Sequence, residues 1–152
     1  MSVKHLIDTK EANFTTCSPT DFLDEAISLM VESHRNAIAV IENETNLKGI
    51  LTDHDVIRAV HSRQSKGGSI SQDHVKDWMS ADVITCDVEA KYTDALKLMG
   101  KHSIRHLILT DKGLPMATVS IRDILSKIHQ NDELEVSVLR DIAIASRAAF
   151  AG

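Results

Sequence analysis

The chain has 152 residues, of which 43% are hydrophobic and 26% are charged, so it is long enough to bury the core of a globular domain. Its formal net charge is −5 and it has no cluster of five or more lysines and arginines, which disfavours direct binding to DNA or RNA. Two cysteines make no disulfide framework, and the sequence shows neither a signal peptide nor a long apolar run, so we expect a cytoplasmic protein without a membrane span.

The first half of the chain predicts a β-α-β-β-α unit. After a first strand at Cys17, apolar residues recur at helical spacing over 20–33. Two short apolar runs at 37–41 and 47–52 are separated by a polar turn, which is typical of an antiparallel hairpin. A second helix is predicted over 53–61.

The second half repeats this order. A shift of 69 residues places Thr16-Cys17 on Thr85-Cys86, and a one-residue deletion in the hairpin then aligns Leu51–Asp55 with Val119–Asp123. We therefore predict two copies of one unit, which is the signature of a repeat architecture. The predicted elements of the second copy are a strand at 83–85, a helix at 89–101, strands at 104–110 and 114–119, and a helix from Ile121.

This organisation predicts a mixed α/β (α+β) fold. We divide the chain into repeat one with its N-terminal lead-in (1–62), a polar linker (63–73), repeat two (74–129) and a C-terminal helix (130–152). A unit of this size cannot cover its apolar faces alone, so the repeats should pack with approximate two-fold symmetry. The cleft between them is the natural ligand site.

The C-terminal helix carries an apolar stripe. Its members recur at helical spacing and are Leu134, Val138, Ile142 and Ala145. The stripe either docks on the chain's own core or contacts a second subunit, and the sequence leaves both alternatives open.

A hydroxyl and a carboxylate recur where the last strand of each repeat ends, as Thr52-x-x-Asp55 and Ser120-x-x-Asp123. Such a pair forms a capping box, which satisfies two backbone amides at a helix start. The same groups also suit a nucleotide, because a carboxylate accepts both hydroxyls of a ribose while the hydroxyl and the helix N-terminus donate to phosphate. The occurrence at equivalent positions of both repeats favours the binding interpretation.

Three segments carry a resemblance to a known family. Residues 75–80 lead into the strand 83–85, residues 104–109 form an apolar strand, and residues 49–55 read Gly-Ile-Leu-Thr-Asp-His-Asp. In this order, and duplicated, they resemble paired cystathionine-β-synthase (CBS) domains, also called the Bateman module. The resemblance covers nearly the whole chain.

The resemblance implies a non-catalytic regulatory module. In that family the cleft between the repeats binds AMP, ADP or ATP, and in some members NAD or S-adenosylmethionine. A homodimer and a regulated partner protein are expected by the same resemblance.

The resemblance also implies roles for residues at matching positions. The carboxylates of Asp55 and Asp123 would hold ribose diols, and the hydroxyls of Thr52 and Ser120 would contact ribose or phosphate. Adenine would lie against small apolar residues that precede the opposite repeat, namely Ala81 and Val83, or Ala12.

The two sites differ in charge. The site of Ser120 and Asp123 has three groups nearby that can meet phosphate charge, namely Arg105, His106 and Arg122. The site of Thr52 and Asp55 has Asn36, Ala37 and His54. We therefore expect the Ser120/Asp123 site to bind phosphates better.

Two residues depart from the family pattern. Repeat two has Ala117 where repeat one has Gly49, which leaves less room for close backbone approach. Pro115 lies inside the preceding strand and predicts that this strand is at a sheet edge.

Other classes of function are weaker. Asp53-His54-Asp55 are consecutive on one helix turn and cannot converge on a metal ion, Cys17 and Cys86 occupy equivalent core positions, and Trp78 is expected to anchor its segment rather than stack on adenine. A nucleotide hydrolase is disfavoured because the sequence has no P-loop. The main rival is a structural adaptor that dimerises with both clefts empty.

Overall fold

The computed structural model describes residues 2–8 and 14–150, and it describes their side chains except those of 131–138, 149 and 150. The elements in chain order are α1 (Lys4–Asp8), β1 (Thr16–Cys17), α2 (Leu23–Glu32), β2 (Ala37–Glu42), β3 (Asn46–Thr52), α3 (Asp53–Ser65), two short 3-10 helices (Ile70–Gln72 and Val75–Asp77), β4 (Thr85–Asp87), α4 (Tyr92–His102), β5 (His106–Asp111), β6 (Leu114–Ser120) and α5 (Ile121–Phe150).

Two three-stranded sheets with the same topology confirm the predicted repeat. The sheet orders are β1-β2-β3 and β4-β5-β6, and in each sheet the first pair of strands is parallel and the second antiparallel. Ala37 pairs with Thr52 in the first hairpin, and His106 pairs with Ser120 in the second. Strand β6 is an edge strand, as Pro115 predicts.

Each repeat has its own apolar core. Helix α2 buries Leu23, Ala26 and Met30, and α4 buries residues at the same spacing. Cys17 and Cys86 are buried in the two clusters, which supports their structural interpretation. Burial, assisted by the charge of Asp21, raises the pKa of the Cys17 thiol to about 12, so this thiol stays protonated and is a poor nucleophile.

The segment that precedes each repeat packs on the opposite repeat. Val3 donates its backbone amide to the carbonyl of Ala90 at 2.8 Å and has no exposed surface within the core of repeat two. At the equivalent place, Val75 donates to Asp21 at 3.0 Å and is fully buried in the core of repeat one. The repeats therefore exchange their lead-in segments.

A buried carboxylate fastens the connection between the repeats. Asp73 is buried, and it accepts hydrogen bonds from the Arg63 guanidinium and, at 3.2 Å, from the indole N–H of Trp78. Trp78 packs against the core of repeat one, which supports its anchoring role. Hydrogen bonding to Arg63 lowers the pKa of Asp73 below its ordinary value.

The last helix extends beyond the body of the protein. Helix α5 is continuous over 30 residues, without the division that the sequence suggests at residue 130. Residues 139–148 are all exposed, and Leu139, Ile142 and Ile144 have exposures of 64%, 56% and 60%. Docking of the apolar stripe on the chain's own core is therefore wrong for Ile142 and Ala145, while Leu134 and Val138 lie outside the described side chains.

Candidate functional site

Asp55 is held at the start of α3 by a complete capping box. Its Oδ2 accepts the backbone N–H of Thr52 at 2.9 Å and the Thr52 hydroxyl at 3.0 Å, while its own N–H donates to Thr52 Oγ1 at 3.4 Å. The other oxygen, Oδ1, accepts from Arg58 at 3.0 Å. Asp55 is 4% exposed, so the fold presents a positioned and charge-compensated carboxylate.

Asp123 occupies the same position in repeat two. The Ser120 amide donates to Asp123 Oδ2 at 2.9 Å, and the Asp123 amide donates to Ser120 Oγ at 3.1 Å. Both Ser/Thr-x-x-Asp pairs therefore act as helix caps. Capping does not exclude binding, because a carboxylate offers about four acceptor positions.

The backbone amides at the start of α3 already have acceptors. The Asp53 amide donates to the carbonyl of Asn36 at 2.9 Å, and the His54 amide donates to Asp53 Oδ1 at 2.8 Å. With the Asp55 amide directed at Thr52, the first turn of α3 has little capacity left for a phosphate. The amides of this helix start, which were expected to donate to phosphate, are already engaged. Phosphate binding here therefore depends on side chains.

A cleft of about 630 Å³ lies between the repeats next to Thr52 and Asp55. This volume is in the range of small-molecule sites. Three segments line it: the end of β3 and start of α3, the residues that lead into β4, and the residues that lead into β5. The predicted site residues that it brings together are Thr52, His54, Asp55, Ala81, Val83, Arg105 and His106.

The cationic residues border both sites rather than one. Arg105 and His106 were expected beside Ser120 and Asp123. His106 pairs with Ser120 and the Arg105 carbonyl accepts the Ile121 amide, but both residues also line the cleft of Thr52 and Asp55. The cause is the exchange of segments between repeats, because each cleft takes one wall from the strand start of the other repeat. Sequence order alone does not show this crossing.

The His106 ring is subject to the charges of carboxylates from both repeats. Burial lowers the pKa of His106 below its ordinary value and outweighs the charges of Asp53 and Asp123, which raise it, while Arg105 lowers it further. The ring is therefore neutral near pH 7 in the absence of a ligand.

A close backbone contact positions the cleft wall that leads into β4. Ile50 and Ser80 exchange backbone hydrogen bonds of 3.0 and 2.9 Å beside Gly49. A Cβ atom on Gly49 would lie 2.8 Å from both Met79 Sδ and the carbonyl of Ser80, so only glycine permits this approach. Residues 80–84 are thereby brought to the cleft.

These features agree with comparisons to known proteins. A sequence model of the CBS domain matches residues 3–62 and 75–130. The chain belongs to the CBS-domain family. The CBS domain-containing protein YhcV of Bacillus subtilis (strain 168) is 32% identical to it over 136 residues, which are 90% of this chain and 93% of YhcV.

Solved structures of CBS-domain proteins share the architecture. A putative signal-transduction protein with CBS domains from Burkholderia ambifaria MC40-6 superimposes with a TM-score of 0.75 at 26% identity, covering 84% of this chain and 93% of that one. CBSX2 in complex with AMP has a TM-score of 0.68 at 20% identity and covers 86% of this chain and 98% of its own. The two β-α-β-β-α units are thus a pair of CBS repeats.

A second cleft occupies the position related to the first by the repeat. As far as the described residues line it, it is much smaller than the cleft beside Asp55. It is lined by Phe14, Ala37 and Met116 among others and has a volume of about 30 Å³, which is room for roughly one or two water molecules. Phe14 stands where the other cleft has Val83, and Ala37 stands where it has His106. As far as the described residues line them, the two clefts therefore differ in volume.

Several predicted residues lie away from the larger CBS cleft. Ser120, Asp123 and Arg122 do not line it, and Asn36 contributes its carbonyl to the Asp53 amide. Ala12 lies outside the described residues. Residues that the sequence reasoning missed are Ile50, Asp53, Ser80, Asp82, Ile84, Ser103 and Ile104. Residues 80–84 precede β4 as the N-terminal lead-in precedes β1. A comparison of these two equivalent segments could have predicted that 80–84 line the cleft.

One histidine pair of this CBS module has the spacing of a metal-binding motif. His102 and His106 have His-x-x-x-His spacing, but His102 ends α4 whereas His106 begins β5. Among the residues whose side chains the structure describes, no group of three His, Cys, Asp or Glu is arranged to hold a metal ion. No helix in the described part of the chain is long and apolar enough to cross a membrane.

Proposed function

We propose that this CBS pair is a non-catalytic regulatory module that binds an adenine nucleotide, AMP, ADP or ATP, in the cleft of Thr52 and Asp55. The observation that carries the proposal is the cleft of about 630 Å³, which combines a buried carboxylate, small apolar residues and a guanidinium from both repeats. The AMP bound by CBSX2 supports the choice of ligand class.

Each part of a nucleotide has a chemically suitable wall in this cleft. Ile50, Ala81 and Val83 offer small apolar surface for adenine. Asp55 has acceptor capacity for a ribose hydroxyl beyond its three internal donors, and opening of its contact with Arg58 would free a place for the second hydroxyl. Arg105 and His106 would face the phosphate.

The exchange of lead-in segments gives binding a route to regulation. A ligand in this cleft touches residues of both repeats, including the segment that leads into β4. It therefore stabilises arrangements of the repeats in which these walls are close, by as much as its affinity differs between arrangements. A partner protein would read the arrangement, and a homodimer formed through the exposed face of α5 would transmit it.

A second candidate is a structural adaptor that has no ligand. The exposed Leu139 and Ile142, one turn apart on α5, favour it, because apolar side chains on one side of an exposed helix are typical of an interaction surface. In that case the chain dimerises and thermal unfolding is insensitive to nucleotides.

Calorimetric titration separates the two candidates. The chain is titrated with AMP, ADP, ATP, NAD and S-adenosylmethionine, and size-exclusion chromatography with light scattering gives its mass across protein concentrations. Saturable binding of an adenine nucleotide supports the sensor, and an absence of binding by all five compounds would falsify it. Dimerisation without any binding supports the adaptor.

A further inference from the structure

The charges that line the larger cleft are unbalanced. The described lining residues include three carboxylates, Asp53, Asp55 and Asp82, and one guanidinium, that of Arg105. Asp55 is compensated by Arg58 at 3.0 Å, whereas Asp53 and Asp82 are exposed at the cleft wall. A ligand in the cleft therefore meets net negative formal charge from the protein.

The groups that would normally offset this charge are already engaged. The first amides of α3 donate to Asn36, Asp53 and Thr52, and the Thr52 hydroxyl donates to Asp55. His106 contributes no standing positive charge, because burial keeps its ring neutral. Arg105 is thus the one permanent cation on the described wall of the cleft.

We propose that the cleft selects its nucleotide by phosphate number, with Asp53 and Asp82 favouring the monophosphate over the triphosphate. The inference rests on the proposed function, and it names which ligand of the class is preferred. A single phosphate is matched by Arg105 and by the proton that it draws onto the His106 ring, and each further phosphate adds negative charge that no additional cation on the described wall meets.

The size of the effect follows from the dimensions of the cleft. A volume of about 630 Å³ corresponds to a sphere roughly 11 Å across, so the lining charges lie within about one Debye length of a bound phosphate. Charges about 8 Å apart in a mostly aqueous cleft interact weakly one by one, but two carboxylates acting on two additional phosphates amount to about a tenfold difference in affinity.

The test compares AMP and ATP by calorimetry in the presence of EDTA, so that no divalent cation masks the phosphates. For the wild-type chain we expect AMP to bind about tenfold more tightly than ATP, with a ratio that shrinks at high salt. The double variant Asp53→Asn/Asp82→Asn should bring the ATP affinity close to that of AMP. Asparagine at 53 retains the Oδ1 that accepts from the His54 amide, so the helix start is preserved.

The control is Asp111→Asn, which removes a single charge at the exposed end of β5, about 17 Å along the strand from His106. It should leave the AMP/ATP ratio unchanged. The inference is overturned if wild-type protein binds ATP as tightly as AMP, or if the double variant leaves the ratio as it was. Failure of every nucleotide to bind both wild type and double variant would instead overturn the proposed function itself.

Discussion

His106 pairs with Ser120 across β5 and β6, yet it lines the cleft that belongs to Thr52 and Asp55. The cleft beside the Asp55 carboxylate is therefore lined by the start of a strand from the other repeat. This crossing places the cationic residues with Asp55, so we now expect nucleotide binding to be centred on the first site.

Replacement of the two capping carboxylates tests this assignment. Asp55→Ala should weaken AMP binding by at least about tenfold, because it removes the carboxylate from the cleft wall. Asp123→Ala removes an equivalent cap outside that cleft and serves as the control. Each variant should lose about 1 kcal/mol of unfolding free energy, measured by chemical denaturation. Equal losses of affinity in calorimetry would contradict the assignment.

Two exposed arginines provide a matched pair for phosphate recognition. Arg105 lines the cleft and Arg122 does not, although both were expected to meet phosphate charge. Arg105→Ala should weaken AMP binding by about tenfold and leave adenosine binding nearly unchanged, since a charged hydrogen bond is worth about 1.5–3 kcal/mol and partial exposure reduces it. Arg122→Ala should change neither affinity. A larger effect of Arg122→Ala would restore the second site as the phosphate site.

The neutral His106 ring makes both stability and binding depend on pH. Because its folded pKa lies below the unfolded value, the unfolded chain binds more protons, and the stability contributed by this ring is lost as the pH falls below about 6.5. The melting temperature of wild type, relative to that of His106→Gln, should therefore fall as the pH is lowered from 7.5 to 5.5. A bound phosphate favours the charged ring, so calorimetry in buffers of different ionisation enthalpy should detect proton uptake with AMP. A pH-independent difference between the proteins would contradict this account.

Gly49 tests the contact that positions the cleft wall. Gly49→Ala places a Cβ 2.8 Å from the backbone of Ser80, so we expect a loss of about 1–3 kcal/mol of unfolding free energy and weaker nucleotide binding as residues 80–84 shift. Gly100→Ala is the control, because Gly100 lies in α4 with no atom within 4 Å of the added Cβ. That variant should gain about 0.5–1 kcal/mol from helix propensity. If Gly49→Ala leaves the free energy of unfolding unchanged in chemical denaturation, residues 80–84 can move away from the added Cβ without cost.

The repeat and its elements follow from local patterns. Leu23, Ala26 and Met30 recur at helical spacing, and the hairpin runs at 37–41 and 47–52 appear in the structure as β2 and β3 within one residue. Helix starts were set too early, since α2 begins at Leu23 and α4 at Tyr92. The residues before each helix are bent or turned and bond to the exchanged lead-in segments, which are contacts from distant parts of the chain.

The candidate site was only partly predictable for the same reason. Thr52-x-x-Asp55 is a local motif, and its capping geometry can be expected from spacing alone. Asp82 and Ser103 line the cleft because the lead-in segments cross between repeats, which no local pattern encodes. The Arg63–Asp73–Trp78 cluster was missed because its partners come from a helix, a loop and a 3-10 turn.

The sequence by itself determined the duplicated unit, its strand and helix periodicity, and the two capped carboxylates, because each depends on neighbours a few residues apart. The tertiary structure decided which strand start faces which carboxylate, and among the described residues it left a cleft of about 630 Å³ beside Asp55 and one of only about 30 Å³ lined by Phe14, Ala37 and Met116. Those outcomes depend on the exchange of Val3 and Val75 between cores and on the bulk of side chains that meet only when the two repeats pack together.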